Sequence, residues 1–207
     1  MTQLNPEYRA RQDRQLERYL QWTRTQPDAV GHELPTRLTT IFSENQLMRM
    51  NWLKSNTTGE VLEVGCNFGA VLAWVGGSTG LDINPNNIEL ARLLSPDRKF
   101  DVGDAAVLPY GDQSFDTVLL PEILEHLSWP AGVDLAVAEA CRVARRRVLI
   151  TMPDGETDSH SPEAESFKHQ FLADRDHVAD LTRMFPMKAR VTTTWNFGFV
   201  LIRAALP

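Results

Sequence analysis

Glu122, Glu125 and His126 stand at i, i+3 and i+4 in Pro121-Glu122-Ile123-Leu124-Glu125-His126-Leu127. If the segment after Pro121 is helical, the three side chains share one face. Two carboxylates that close repel each other unless a cation, a protonated partner or solvent relieves the repulsion. A histidine beside them is a candidate general base. Plainer readings fit the same residues: acids in the first turn of a helix complement its dipole, and the histidine can simply pack. A second group lies upstream, in Glu60 to Val75. There Val61, Leu62 and Val64 form a short apolar run suited to a buried parallel strand, and Phe68, Val71, Leu72 and Val75 recur at helical spacing. The period changes inside Gly65 to Gly69. A strand that becomes a helix through a glycine-bearing loop presents N–H groups and a helix N-terminus beyond the strand's C-terminal end, and that is a ligand cradle.

The elements that must position these residues alternate strand and helix. Thr79 to Ile83 reads as a second strand ending in Asp82, and Asn84-Pro85 then caps a helix carrying Ile88, Ala91 and Leu94. An acid at that strand end can accept both ribose hydroxyls of an adenosine-containing ligand, or can serve only to cap the next helix. Lys99 to Val102 is a third strand and Ser114 to Leu120 a fourth; a helix begins near Ala131, and Arg147 to Thr151 is a fifth strand ending at Met152-Pro153. The polar stretch Asp154 to Gln170 opens at the end where ligands bind in such sheets and is a candidate acceptor lid. A helix from about Asp174 carries Val178, Leu181 and Phe185, and the strands Arg190 to Trp195 and Phe199 to Arg203 follow, joined by Asn196-Phe197-Gly198. This alternation predicts a doubly wound, largely parallel α/β sheet.

Glu63-x-Gly65-x-Asn67-x-Gly69 departs from the Gly-x-Gly-x-x-Gly dinucleotide fingerprint. It resembles the first motif of class I S-adenosylmethionine (SAM)-dependent methyltransferases, with Asn67 where the usual form has a third glycine. Asparagine is the non-glycine residue best suited to a left-handed backbone. Gly103-Asp104-Ala105-Ala106, followed by Leu108-Pro109, resembles the segment in which an acid receives the adenine amino group and the next residue's backbone meets the ring. The Phe115-Asp116 that enters the fourth strand also resembles the family, and so does the terminal hairpin. The resemblance spans about Gly59 to Ala205. It implies a Rossmann-like sheet of about seven mostly parallel strands with a C-terminal antiparallel hairpin, and residues 1–58 as an N-terminal helical cap on a core of residues 59–207. It implies SAM as cofactor, held by Glu63, Gly65, the Cys66 backbone, Asn67 and Gly69 in the cradle. Asp82 and Ile83 would follow at the ribose, Asp104 and Ala105 at the adenine, and Pro121 at the fourth strand's tip.

The Glu-x-x-Glu-His stretch is similar to the divalent-metal site of a methyltransferase subset that includes the ubiquinone-pathway O-methyltransferases and the small-RNA 3′-end methyltransferases. In the RNA enzymes a further histidine comes from beyond the fifth strand; His169 is the best-placed counterpart here and His160 the next. That similarity implies Glu122, Glu125, His126 and His169 as ligands of Mg²⁺ or Mn²⁺, a mixed O/N set, with His126, Glu125 and His169 in catalysis. A metal site, a metal-free base and a structural role all remain open on the residues.

The expected reaction is methyl transfer to a small-molecule acceptor, at a hydroxyl of a sugar, a quinone precursor or a secondary metabolite. RNA-terminal 2′-O-methylation and a SAM-binding partner or sensor without catalysis are the alternatives, with an NAD oxidoreductase behind them. The 207 residues are 43% hydrophobic, enough for one core, and the net charge of −6 argues against a nucleic-acid backbone as main partner. Cys66 and Cys141 form no disulfide framework, and no run approaches the length of a membrane span. With a polar N-terminus unlike a secretory signal, the expectation is a cytoplasmic protein with no membrane partner. The N-terminal helices, near Pro6 to Gln26 and Pro35 to Lys54, serve either packing or a homodimer contact, or else form a lid. Arg142 and Arg145 to Arg147 read as helix C-terminal charges. His32 and His177 read as surface residues, and Trp195 and Phe197 as core or acceptor-pocket aromatics.

Overall fold

The computed structural model describes residues 44–155, 173–196 and 198–207, together with Glu17. Helix α1 (Glu44–Asn56) leads into β1 (Val61–Val64), α2 (Ala70–Val75), β2 (Thr79–Asp82), α3 (Pro85–Leu94) and β3 (Lys99–Val102). Then follow β4 (Phe115–Pro121), α4 (Ala131–Val143), β5 (Ala144–Pro153), α5 (Arg175–Arg183), β6 (Arg190–Asn196) and β7 (Phe199–Ala205). The strands form one sheet in the order β3-β2-β1-β4-β5-β7-β6. Each of β1 to β5 is parallel to its neighbours in that run, while β7 is antiparallel to both β5 and β6. The order reverses between β1 and β4, so the crevice beyond their C-terminal ends is the topological switch point.

Alternation along the central strands sorts their side chains into two layers. Leu62, Val64, Val118, Leu120, Val148 and Ile150 meet Val133, Val137 and Ala140 of α4 and Val178 and Leu181 of α5. On the other face Val61, Leu119 and Leu149 meet Leu53 of α1, and Leu72 of α2 packs with Ile88, Ala91 and Phe100. The expected sheet of seven mostly parallel strands with an antiparallel hairpin is therefore present, with helices on both faces.

The described part of the N-terminal region, α1, packs on the sheet, where Leu53 is fully buried with Val61 of β1, Leu119 of β4 and Leu149 of β5. Met50 is buried as well. Arg49, Met50 and Leu53 are buried, whereas Met48 is exposed. The C-terminal end of α1 is held by Arg147, which donates to the Asn56 carbonyl at 2.7 Å, and by Arg203, which donates to Asn56 Oδ1 at 3.0 Å. The earlier helix, near Pro6 to Gln26, lies outside the described residues apart from Glu17, and so do residues 35–43 of the second. Arg145 to Arg147 belong to β5, which starts directly after α4, so they are not helix-terminal charges. Arg145 and Arg146 pair with Asp116, and Arg142, in the last turn of α4, with Asp112 and Glu139.

Candidate active site

The cradle has the backbone its residues call for. Gly65 sits at φ 71°, and a Cβ there would fall 2.5 Å from Ile123 Cδ1, so both conformation and space require glycine. Asn67 adopts φ 49°, the left-handed conformation expected of it. Gly69, at φ 78°, caps α2.

The amides of the cradle are already engaged. Gly65 and Cys66 both donate to the Leu81 carbonyl, at 2.8 and 2.9 Å, and Gly69 donates to the Cys66 carbonyl at 2.7 Å. Asn67 donates to Asp82 Oδ2 at 2.8 Å. The N–H groups of Gly65, Cys66 and Asn67 thus fix the loop against β2, and the expectation that they face a ligand gives way to this role. Burial, with Glu63 and Asp82 nearby, holds the Cys66 thiol protonated far above its usual range.

Asp82 takes the place at the start of the next helix that the sequence offered as one of two alternatives. Besides Asn67, it accepts from the Asn84 amide at 2.9 Å and the Asn87 side chain at 3.1 Å, both on Oδ1. It therefore ties the cradle to the start of α3. Among the described residues Oδ2 carries one hydrogen bond, which leaves it a lone pair. Next to Asp82, Ile83 is 69% exposed, and Val102, paired with Asp82 across the sheet, is 50% exposed. Val107, 72% exposed, bridges to Asp104, whose Oδ1 accepts from the Ala106 amide at 2.9 Å. Ala105 beside it is buried. Exposed Ile83, Val102 and Val107 thus stand at the ends of β2 and β3 and in the loop that follows. Val102 and Val107 carried no signal in the sequence, because exposure of apolar residues is decided by the fold.

At the tip of β1, Glu63 is 2% exposed. Burial pushes its carboxyl up to about 8, against the Leu72 amide and Arg49, which pull it down; Asp82 also raises it. Arg49 comes from α1, for which the sequence left packing, a homodimer contact and a lid all open. Its guanidinium is 8% exposed, donates to Gln46 and to Thr151 Oγ1 at 3.4 Å, lies 3.6 Å from Glu122 Oε1 and sits over the Phe199 ring at 5.5 Å. A buried cation thus stands at the strand tips beside the switch point.

The Glu-Glu-His group is rearranged. No α-helix follows Pro121, which is buried and pairs with Thr151. Glu122 takes a left-handed φ of 53°, and only Leu124–His126 makes a 3₁₀ turn. One residue of a 3₁₀ turn rotates the side chain by about a third of a circle, so Glu125 is buried while His126 is exposed. Glu122 faces Arg49. Among the described residues no three His, Cys, Asp or Glu side chains come together as metal ligands do. His169 and His160 lie outside the described residues, as do His32 and Phe197.

His177 is no bare surface residue. Its Nδ1 lies 2.7 Å from Asp174 Oδ1, and its ring meets Trp129 edge to face at 4.8 Å. Trp195 is exposed on β6.

Residues 62–151 match the methyltransferase domain family. That stretch, 90 of the 207 residues, is similar to a methyltransferase domain. It is 31% identical over 121 residues to an ajmaline N-methyltransferase of Rauvolfia serpentina, covering 53% of this chain and 40% of that protein. It is 32% identical over 108 residues to a ubiquinone biosynthesis O-methyltransferase of Idiomarina loihiensis, covering 46% and 44%. The chain thus spans less than half the length of these curated relatives. Among solved structures, a SAM-dependent methyltransferase of Thermotoga maritima, described as a possible histamine N-methyltransferase, superimposes with a TM-score of 0.64 at 19% identity. That match covers 78% of this chain and 89% of the other. Among the described residues no helix is long and apolar enough to cross a membrane.

Proposed function

We propose that this methyltransferase moves the methyl group of SAM to a hydroxyl of a small-molecule acceptor. The observation that carries the reading is that Glu63, Asp82 and Asp104 stand at or just beyond the C-terminal ends of β1, β2 and β3, with exposed Ile83, Val102 and Val107 near them in the chain. Bound there, SAM supplies an electrophilic methyl carbon on a sulfonium. Asp82 accepts a ribose hydroxyl at the spare lone pair of Oδ2, and a second hydroxyl takes the place of Asn87 at Oδ1. Asp104 receives the adenine amino group through its second oxygen, and exposed apolar side chains such as Ile83 and Val102 lie against the ring. Arg49 meets the cofactor's carboxylate and in doing so leaves Thr151 and Glu122. A charge-assisted hydrogen bond replaces two long contacts.

The acceptor enters from the β4 side, where His126 is exposed beside the switch point. As the acceptor oxygen bonds to the methyl carbon, the carbon–sulfur bond breaks with its electron pair on sulfur, and the hydroxyl proton passes to the imidazole. Most of the acceleration comes from holding donor and acceptor in line. Net charge and the acid pairing of the arginines favour a small acceptor over RNA.

The test is titration of SAM into wild type, Asp82→Ala and His126→Ala. Loss of two charge-assisted hydrogen bonds, at about 1.5–3 kcal/mol each, weakens SAM binding by Asp82→Ala on the order of a hundredfold or more. His126→Ala keeps wild-type affinity and loses transfer. Wild-type affinity in Asp82→Ala overturns the placement of the cofactor.

A further inference from the structure

Resting on the SAM reading, one group in the cradle has chemistry left over. Glu63 lies wholly inside the protein, on the sheet face covered by α1 and α2, and its Oε2 has no hydrogen-bond partner among the described residues. Its other interactions are with the Leu72 amide in the first turn of α2, Arg49 of α1, Asp82 at the end of β2, Arg98 before β3 and the neighbouring Cys66. Arg49 is the cation that ought to hold it ionised, yet the guanidinium is directed to Gln46, Thr151 and Glu122. Asp82 is a second acid nearby. A carboxylate enclosed this way, with one oxygen unserved, is costly as an anion. The neutral acid is the ligand-free form at neutral pH, in keeping with a carboxyl pushed up to about 8.

A cationic ligand reverses that balance, because an opposite charge nearby favours the ionised form. SAM and S-adenosylhomocysteine share adenine, ribose and amino-acid groups, and differ by a methyl and the positive charge on sulfur. A group that responds to charge in the cradle therefore responds to that difference. We propose that Glu63 distinguishes substrate cofactor from product cofactor by charge: its carboxyl gives a proton to solvent as the sulfonium binds and recovers one after transfer has left a neutral thioether. Over a turnover the Glu63 proton cancels, and the one net proton released is that of the acceptor hydroxyl. Below the range where Glu63 ionises unaided, its reprotonation removes the preference for the cofactor site that the cation had created, which favours product release.

Three measurements test this on the whole chain, with SAM and S-adenosylhomocysteine as the probes. Calorimetric titrations at pH 6.5 and 9, in buffers of different ionisation enthalpy, give affinities and proton counts for wild type and Glu63→Gln. In wild type the SAM preference, the ratio of the two dissociation constants, differs between the two pH values by about tenfold for each unit separating the Glu63 pKa in the two complexes. The α-amino groups of the ligands titrate in the same range, but they do so in both proteins, so the Glu63→Gln curve supplies their share. Infrared difference spectra of wild type near neutral pH need no variant: SAM removes a protonated-carboxyl C=O band and S-adenosylhomocysteine leaves most of it. Equal ratios and proton counts in wild type and Glu63→Gln, or an infrared band untouched by SAM, overturn the proposal while leaving the SAM reading standing. Failure of both ligands to bind wild type at either pH overturns the SAM reading and the proposal with it.

Discussion

Replacing Glu63 by glutamine removes a charge without removing volume, and its effect on the ligand-free protein follows from burial. The carboxyl is raised from 4.5 to about 8, so between those values the native state holds a proton that the unfolded chain has released. Stability then falls as pH rises, since the unfolded state binds fewer protons across that window. The contribution is fully present below the unfolded value and is lost as pH climbs through the folded one. At about 1.4 kcal/mol for each tenfold in proton affinity, the loss between pH 5 and 9 comes to roughly 4 kcal/mol for wild type and to nothing for Glu63→Gln. In a chain of this size 1 kcal/mol moves the melting temperature by about 2–4 °C. Thermal unfolding at pH 5, 7 and 9 should therefore show Glu63→Gln gaining on wild type by on the order of 10 °C from the lowest to the highest pH. Any fixed cost of the new amide cancels in that comparison, as do groups that titrate alike in both proteins. A difference in melting temperature that stays constant across the series refutes the claim that Glu63 is neutral in the folded protein.

Arg49→Ala weakens SAM binding about tenfold to a hundredfold, the worth of one charge-assisted hydrogen bond; an unchanged dissociation constant by titration would remove Arg49 from the cofactor site. Asn67→Gly leaves stability within a few tenths of a kcal/mol, whereas Asn67→Val costs roughly 1–2 kcal/mol because a β-branched side chain meets its own backbone at positive φ. Denaturant unfolding of the two variants checks this, and equal midpoints would show that the cradle does not enforce its left-handed residue.

Much of the fold was legible because strand and helix periods are written in neighbouring residues. Val61, Leu62 and Val64, the helix cap at Asn84-Pro85, the fourth and fifth strands and the final hairpin all appear near their expected places. The left-handed Asn67 was readable for the same reason, since a residue's own side chain limits its φ. The position of Asp82 at a strand tip was also local information. Its partners were not: the carboxylate joins Asn67, Asn84 and Asn87 at once, which needs the loop and the helix start to be folded together.

Side-chain company is set by elements far apart in the chain, and there the sequence was silent or misleading. Spacing made Glu122, Glu125 and His126 one helical face, but Pro121 is spent in β4, the left-handed Glu122 breaks the run, and a single 3₁₀ turn sends Glu125 inward and His126 outward. Arg49 carried no signal in the sequence and reaches Thr151, 102 residues on, because α1 docks across the sheet. His177 meets Trp129 only because α5 packs beside α4. The sequence by itself determined which backbone each segment takes and which residues stand at strand ends, since those preferences act within a few residues. Tertiary structure alone decided which of them are buried, charged and within reach of one another, because burial and electrostatic partners arise only when distant segments share one volume.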